Sequence, residues 1–559
     1  MKSLFRFLTF MFTVGLAFAN PSKLSKDLTR KDPTALVNAI VQFKQVPSEL
    51  QHQKVKDKGG VLRSKLDVIK GAQYSLPASA LETLMGDPDV VYITPDRPVA
   101  ASLNYGEPAV NGNISLQYGW DGTGVGIAVI DSGITDHPDL KVPKSSKSRI
   151  VYRQSFIPGG TDDAFEHGTH IAGILAGNGA NSSGPQYTAT FKGIAPNARL
   201  INLRVLDENG QGQDSTVIQA IQEAISLKDT YNIRVINLSL GRPVFESYTL
   251  DPLCQAVEAA WQAGIVVVVA AGNNGRDDSL GTNGYATITA PGNDPYVITV
   301  GAMKTMGTAT RGDDLIASYS SKGPSFIDHI VKPDILAPGN RIISLLADRS
   351  QLEQGYAENL VALSYYTVGS SSNSSTSYYK LSGTSMATPM VSGAAALLLQ
   401  QNPSLTPDQV KARLMKAASK NFPASSIATD PATGVSYTSQ YDIFTIGAGY
   451  LDTWAALNNT DLASGSALSP TAMYDSETGT VYVLSDSSAI WGISPVWEYS
   501  IIWGNSVFAT KRSAVWGNSA PWGNSTTEGF NTIWATKRSA VWGNSSPAES
   551  LKVTIRGEN

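Results

Sequence analysis

Near-continuous apolar runs recur through the middle of the chain: GVGIAVID (124–131), ARLINLRVLD (198–207), IRVINLSLG (233–241), GIVVVVAAGN (264–273) and YVITVGA (296–302). None alternates apolar with polar positions, so each predicts a strand buried on both faces. Between them, DSTVIQAIQEAISLKD and LDPLCQAVEAAWQAG space their apolar residues at helical intervals. Strands joined by helical crossovers predict an α/β fold, a doubly wound and mostly parallel sheet flanked by helices, over residues 104–457. Such sheets present ligand sites at the carboxyl ends of their strands, where Asp131, Ser239 and Asn273 stand.

The flanks carry other patterns. Residues 20–103 hold strand-like ALVNAIVQFK (35–44) and VVYITP (90–95) with helix-like SELQHQKVKDKGGVLRSKL and SALETLMGDP, which predicts a small α+β unit. The aperiodic DRPVAASLNYGEP after it predicts an exposed connector open to proteolysis. From 458 to 559 the composition shifts: ATKRSAVWGNS occurs at 509–519 and again at 535–545, and further WGNS copies start at Trp503 and Trp522. Trp on strands and Gly-Asn in turns would make this a β-rich repeat extension. Its aromatics suit either a small packed core or a platform for polysaccharide or a cell surface.

Composition narrows the setting. Lys2 and Arg6 precede an apolar run and then Ala17-Phe18-Ala19, the layout of a signal peptide over residues 1–19, so the protein is expected to be secreted. Cys254 is the single cysteine, which excludes an intramolecular disulfide and leaves stability to a large core and bound ions. Apart from the leader, no apolar run reaches the ~20 residues of a membrane span. A net charge of −4 gives no electrostatic case for nucleic acid or acidic lipid. The chain reads as a monomer.

Candidate chemistry gathers on LSGTSMATP (381–389). The Ala- and Leu-rich run after Ser385 predicts a buried helix, and Pro389, tolerated best in a first turn, predicts that it begins close to Ser385. The serine then sits at the positive end of a helix, where capping alone could account for it. Its company argues for more. His167, one of five histidines, precedes the small-residue run GTHIAGILAG. Asp131 ends a buried strand, where an unpaired carboxylate is costly, and Asn273 offers an amide to an oxyanion.

VIDSGI, HGTHIAG, NLSLG, AAGNNG and SGTSMATP match, in order, the signature segments of subtilisin-like serine proteases, and the chain resembles a secreted preproenzyme of that family. The resemblance implies that Ser385 is the nucleophile, that His167 takes and returns its proton, and that Asp131 holds the imidazole tautomer. It implies an oxyanion hole from Asn273 and the Ser385 backbone N–H. Ser239, Leu240 and Gly241 would pair with an extended peptide, and Ala270, Ala271 and Gly272 would wall the main specificity pocket. The expected activity is that of a serine endopeptidase acting through an acyl-enzyme on proteins and peptides, broadly, with apolar or aromatic residues favoured before the cut. The same chemistry would also serve small esters.

Further implications follow from the resemblance. IVQFK and VVYITPDRPV resemble the family's propeptide, so residues 20–103 would chaperone and inhibit the enzyme until a cut between Pro98 and Glu107. A structural Ca²⁺ would be held by Asp139 of HPDL and by Asn181 of the loop NGANSSG (178–184), although the aspartate segment is one residue shorter than in familiar members. No catalytic cofactor is implied. His170 and Glu166 beside His167 invite zinc, but no H-E-x-x-H pattern is present and a packed second histidine is expected. The Ser/Tyr-rich SYYTVGSSSNSSTSYY predicts a surface excursion near the cleft. The rival to an enzyme is a catalytically silent surface-binding or adhesion protein that uses the Trp-rich tail.

Overall fold

The computed structural model describes residues 33–67, 70–95, 106–279, 281–369, 373–430, 433–475, 480–484 and 547–558, with residues 23, 24 and 28. The signal-peptide stretch, residues 98–105 of the expected maturation window and the WGNS repeats lie outside the described residues; Gly106 and Glu107, at the end of the stretch expected to be an exposed connector, are instead buried in the helix Gly106–Ala109. The chain divides into two compact units, residues 1–100 and 101–559.

The first unit is a four-stranded antiparallel sheet, ordered β2-β3-β1-β4, of β1 (Leu36–Phe43), β2 (Val61–Leu66), β3 (Gly71–Pro77) and β4 (Val90–Pro95). Helices Glu49–Lys56 and Ala80–Met85 complete it. Val41, Tyr74, Leu76, Leu81 and Ile93 form its core. The stretch expected to be helical from Ser48 splits. Ser48 caps the helix, which ends before Gly59 at φ +82, and Val61–Leu66 alternates exposed and half-buried positions as an edge strand does.

In the second unit the five apolar runs become β5 (Gly126–Asp131), β7 (Arg199–Arg204), β8 (Ile233–Leu238), β9 (Val266–Ala270) and β10 (Ile298–Lys304). With β6 (Ile150–Ser155), β11 (Leu315–Ile316) and β12 (Ile335–Pro338) they form an eight-stranded sheet in the order β11-β10-β9-β8-β5-β7-β6, with β12 beside β10. All pairings are parallel except β10 with β11. The predicted crossovers are helices Asp214–Ser226 and Pro252–Gln262. Every residue of β5 and β9 is buried, as their unbroken apolar sequence requires.

Two expectations are revised. The Ser/Tyr-rich stretch is not a surface excursion: its second half is β15 (Ser374–Leu381), paired with β13 (Ile342–Leu345) and β14 (Leu360–Ala362). Tyr366, Tyr378 and Tyr379 are buried there because each ring packs while its hydroxyl finds a partner: Ser375 Oγ, Asp139 Oδ2 and the Leu352 carbonyl, respectively. Nor do the described residues beyond 457 stand apart. Ala463, Ala467, Val481 and Val483 share a core with Val331 and Phe444, and Val553 and Ile555 belong to the main core.

Candidate active site

Asp131 is the last residue of β5, and its main-chain carbonyl accepts from Val205 N at 2.8 Å. The side chain is 1 % exposed, yet Oδ1 accepts three hydrogen bonds: from His167 Nδ1 (2.8 Å), Ser132 N (2.7 Å) and Ser132 Oγ (3.3 Å). Oδ2 has no partner among the described residues. The bond from Nδ1 fixes the tautomer in which Nε2 of His167 is left to accept a proton.

His167 opens the helix His167–Ala176, and Glu166 before it takes the left-handed value φ 114. Asp163 supports this turn: Oδ1 accepts from Glu166 N (2.9 Å) and Ser132 Oγ (2.8 Å), and Oδ2 from Thr169 N (2.7 Å). Burial opposes a charged His167, but the Asp131 carboxylate, by charge and hydrogen bond, and Asp163 outweigh it and raise the imidazole pKa above the ordinary 6.5. His170, one turn on, is fully buried, bonds the Ile342 carbonyl through Nε2 at 3.1 Å, and is pushed down to about 3 by burial. Glu166 accepts from Ala347 N and Ser350 Oγ, and burial drives its pKa well up. Glu166 is thus engaged by Ala347 and Ser350, and His170 by the Ile342 carbonyl, each inside the protein core.

Ser385 is the second residue of the helix Thr384–Gln401, and its hydroxyl donates to the Ser239 carbonyl at 3.0 Å. Pro389 falls beyond the first turn, contrary to expectation. Without its N–H the Ser385 carbonyl lacks its usual i+4 donor, and Ser239 Oγ takes that place at 2.8 Å. Asn237 Nδ2 donates to Ser239 Oγ (3.0 Å) while Ser392 Oγ donates to Asn237 Oδ1 (2.8 Å), which ties β8 to the helix on both sides of the proline gap.

Asn273 follows β9 and Gly272, whose φ of +106 and close approach to Thr289 and Ser321 leave no room for a Cβ. Its Oδ1 accepts from Thr384 N (2.9 Å) and Thr384 Oγ1 (3.1 Å). The carbonyl end is thereby fixed, and the Nδ2 donors face the Gly383 turn just ahead of Ser385. Of the expected substrate segments, Ser239 touches Ser385 directly; Leu240 is half-buried and Gly241 exposed beside it. Ala270 and Ala271 are buried, and Gly272 N donates to Thr384 Oγ1 at 3.1 Å.

Sequence reasoning did not find Ser132, Asp163 or Thr384. Asp163, just ahead of a helix, carried a capping signal; Ser132 and Thr384 act through tertiary contacts that no local pattern announces.

The structure does bring Asp139 and Asn181 together, which permits a test of the calcium expectation. Asp139 is fully buried; Oδ1 accepts from Asn181 N (2.8 Å) and Oδ2 from Tyr378 Oη (2.8 Å). Asn181 Nδ2 donates to Ser377 Oγ at 3.1 Å. A cation already stands beside them: Arg149 is buried and donates to the carbonyls of Asp139 (2.7 Å), Ala198 (3.0 Å) and Lys141 (3.2 Å). Both carboxylate oxygens are engaged by protein donors and the guanidinium balances the charge, so this pair does not fit a Ca²⁺ ion. Among the described residues no group of three or more His, Cys, Asp or Glu side chains is placed to hold a metal.

A family model described as the subtilase family matches residues 122–480. The chain is 36 % identical over 399 residues to serine protease AprX of Bacillus subtilis, covering 69 % of this chain and 83 % of that protein. It is 34 % identical over 422 residues to subtilisin E of the same organism (74 % and 91 %), and 32 % identical over 362 residues to an alkaline protease of Shouchella clausii (64 % and 76 %).

Proposed function

The chain belongs to the subtilase family and is a subtilisin-like serine endopeptidase, and from that premise we propose that Asp131, His167 and Ser385 are its catalytic triad. The observation that carries the reading is the 2.8 Å bond from His167 Nδ1 to a buried carboxylate. A strand end holding a charge at this depth has little structural use without a partner that gains from it.

In this mechanism the Ser385 hydroxyl gives up the Ser239 carbonyl, transfers its proton to His167 Nε2 and attacks the scissile carbonyl carbon. Asp131 stabilises the imidazolium through Nδ1–H. The oxyanion accepts from Asn273 Nδ2 and Ser385 N, and the helix dipole behind Ser385 favours the same charge. His167 then protonates the departing amine, the C–N bond breaks, and water repeats the sequence on the acyl-enzyme.

The N-terminal leader pattern supports export, and among the described residues no helix is long and apolar enough to cross a membrane. Residues 20–103 would act as the propeptide of a self-processing zymogen; their folding as a compact unit of their own supports this. Ser239–Gly241 would bind the substrate backbone and Ala270–Gly272 would wall the main pocket, favouring apolar or aromatic side chains before the cut. Family membership disfavours a silent adhesion protein.

Ser385→Ala tests the assignment. Turnover of a peptide anilide is expected to fall about 10⁶-fold and the precursor to remain uncut; a variant that still matures unaided and hydrolyses the anilide overturns it.

A further inference from the structure

The last described residues return to the second unit after the repeats and are built into it. In the helix Pro547–Arg556, Val553 and Ile555 are each 4 % exposed and sit in the main core. The Thr554 carbonyl accepts from Ser382 N (2.9 Å), and the Ile555 carbonyl from Asn359 Nδ2 (2.7 Å). Gly557 at φ +60 lies so close to Ser382 Oγ and Asn340 Oδ1 that a Cβ would collide with both. Asn340 grips the next residue at both ends, donating from Nδ2 to the Glu558 carbonyl (2.7 Å) and accepting from Glu558 N (2.7 Å).

The Glu558 side chain enters a polar pocket. Oε1 meets Lys304 Nζ at 3.2 Å, and Oε2 meets Ser318 N at 2.8 Å and Arg276 at 3.5 Å. Glu558 and Lys304 are 3 % and 4 % exposed. A charge buried this deeply on partners that match it atom for atom marks a built site.

We propose that the catalytic unit carries a dedicated binding groove for its own C-terminal peptide, residues 551–558, anchored by Glu558. The groove recognises a short segment with Val and Ile in the core, a glycine where no side chain fits, and a carboxylate in the Lys304–Arg276 pocket. Residues 485–546 are then an insertion with both ends held by one unit: on one side by the strand Thr480–Leu484, on the other by this peptide. The peptide stays bound when that insertion is cut.

The test uses the full chain carrying Ser385→Ala, with a recognition sequence for a site-specific protease inserted between Ser545 and Ser546. After cutting, confirmed by denaturing mass, the fragment beginning at residue 546 is expected to co-elute with the body and to appear as a complex in native mass spectrometry. A fluorescent synthetic peptide of residues 547–559, added to the cut protein, is expected to exchange into the groove. Glu558→Gln in that peptide is expected to bind about 10- to 100-fold more weakly, the scale of a lost charge-assisted contact. Immediate release of the unmodified fragment overturns the proposal. Equal binding of the glutamine peptide overturns the role given to Glu558.

Discussion

Asp131 and Asp139 stand in one short stretch of chain, both buried, and their carboxylates are built for different ends. At Asp131 one oxygen takes three bonds, one of them from an imidazole that can gain and lose a proton, while the other has no partner among the described residues. At Asp139 both oxygens are engaged, by the Asn181 N–H and the Tyr378 hydroxyl, with a permanent guanidinium close by. Tyr378 cannot take up a proton and Arg149 does not give one up near neutrality. Residue type and burial are the same in both places. The neighbours decide whether the charge can be used or is merely neutralised.

The comparison breaks first, if it is wrong, on paired substitutions. Asp131→Asn is expected to lower kcat/KM about 10⁴-fold, with little change in the unfolding midpoint at a pH above the raised His167 value, where only the tautomer and the transient imidazolium depend on that charge. Arg149→Met is expected to do the reverse: it leaves four buried backbone carbonyls without their donor and removes the positive charge beside Asp139, costing about 3–5 kcal/mol in urea unfolding with kcat nearly intact in the folded fraction. Equal activity losses in the two variants would erase the distinction.

A pH titration sharpens it. His167 must be neutral to accept a proton, and its pKa is raised, so kcat/KM is expected to climb with pH through a midpoint above 6.5. Stability runs the other way, since the His167–Asp131 ion pair contributes fully in acid and fades as pH rises through that raised value. Burial lowers the pKa of His137 beside Asp139, the opposite direction to His167. Asp163→Asn is expected to move the acid limb down, because Asp163 helps to raise His167.

The smallest effect expected is at the Asp139 pair: Asp139→Asn should leave any shift of the thermal unfolding midpoint between EDTA and added Ca²⁺ unchanged, and loss of a Ca²⁺-dependent rise in that variant would show that a cation does bind at Asp139.

Much of this site was legible because strand ends are readable: an apolar run that stops at Asp131, Ser239 or Asn273 says where the backbone delivers those side chains. The helix behind Ser385 was legible too, but Pro389 misled, since the rule that confines proline to a first turn assumes no outside donor for the orphaned carbonyl, and Ser239 Oγ supplies one. Arg149 and Tyr378 were invisible. Each meets the Asp139 region only through the tertiary fold, and a serine- and tyrosine-rich run reads as solvent-facing until its rings are seen to pack. The return of residues 551–558 was equally silent, for a short Val-x-Ile pair carries no signal of what it will be packed against.

That return has a consequence for how the repeats can vary. Closing a chain between two fixed points costs only about 0.6 kcal/mol for each doubling of its length. By loop-closure entropy alone, adding or removing a WGNS copy between Leu484 and Pro547 is therefore expected to cost the second unit no more than about that amount, whereas a change within residues 553–558 removes contacts with its core.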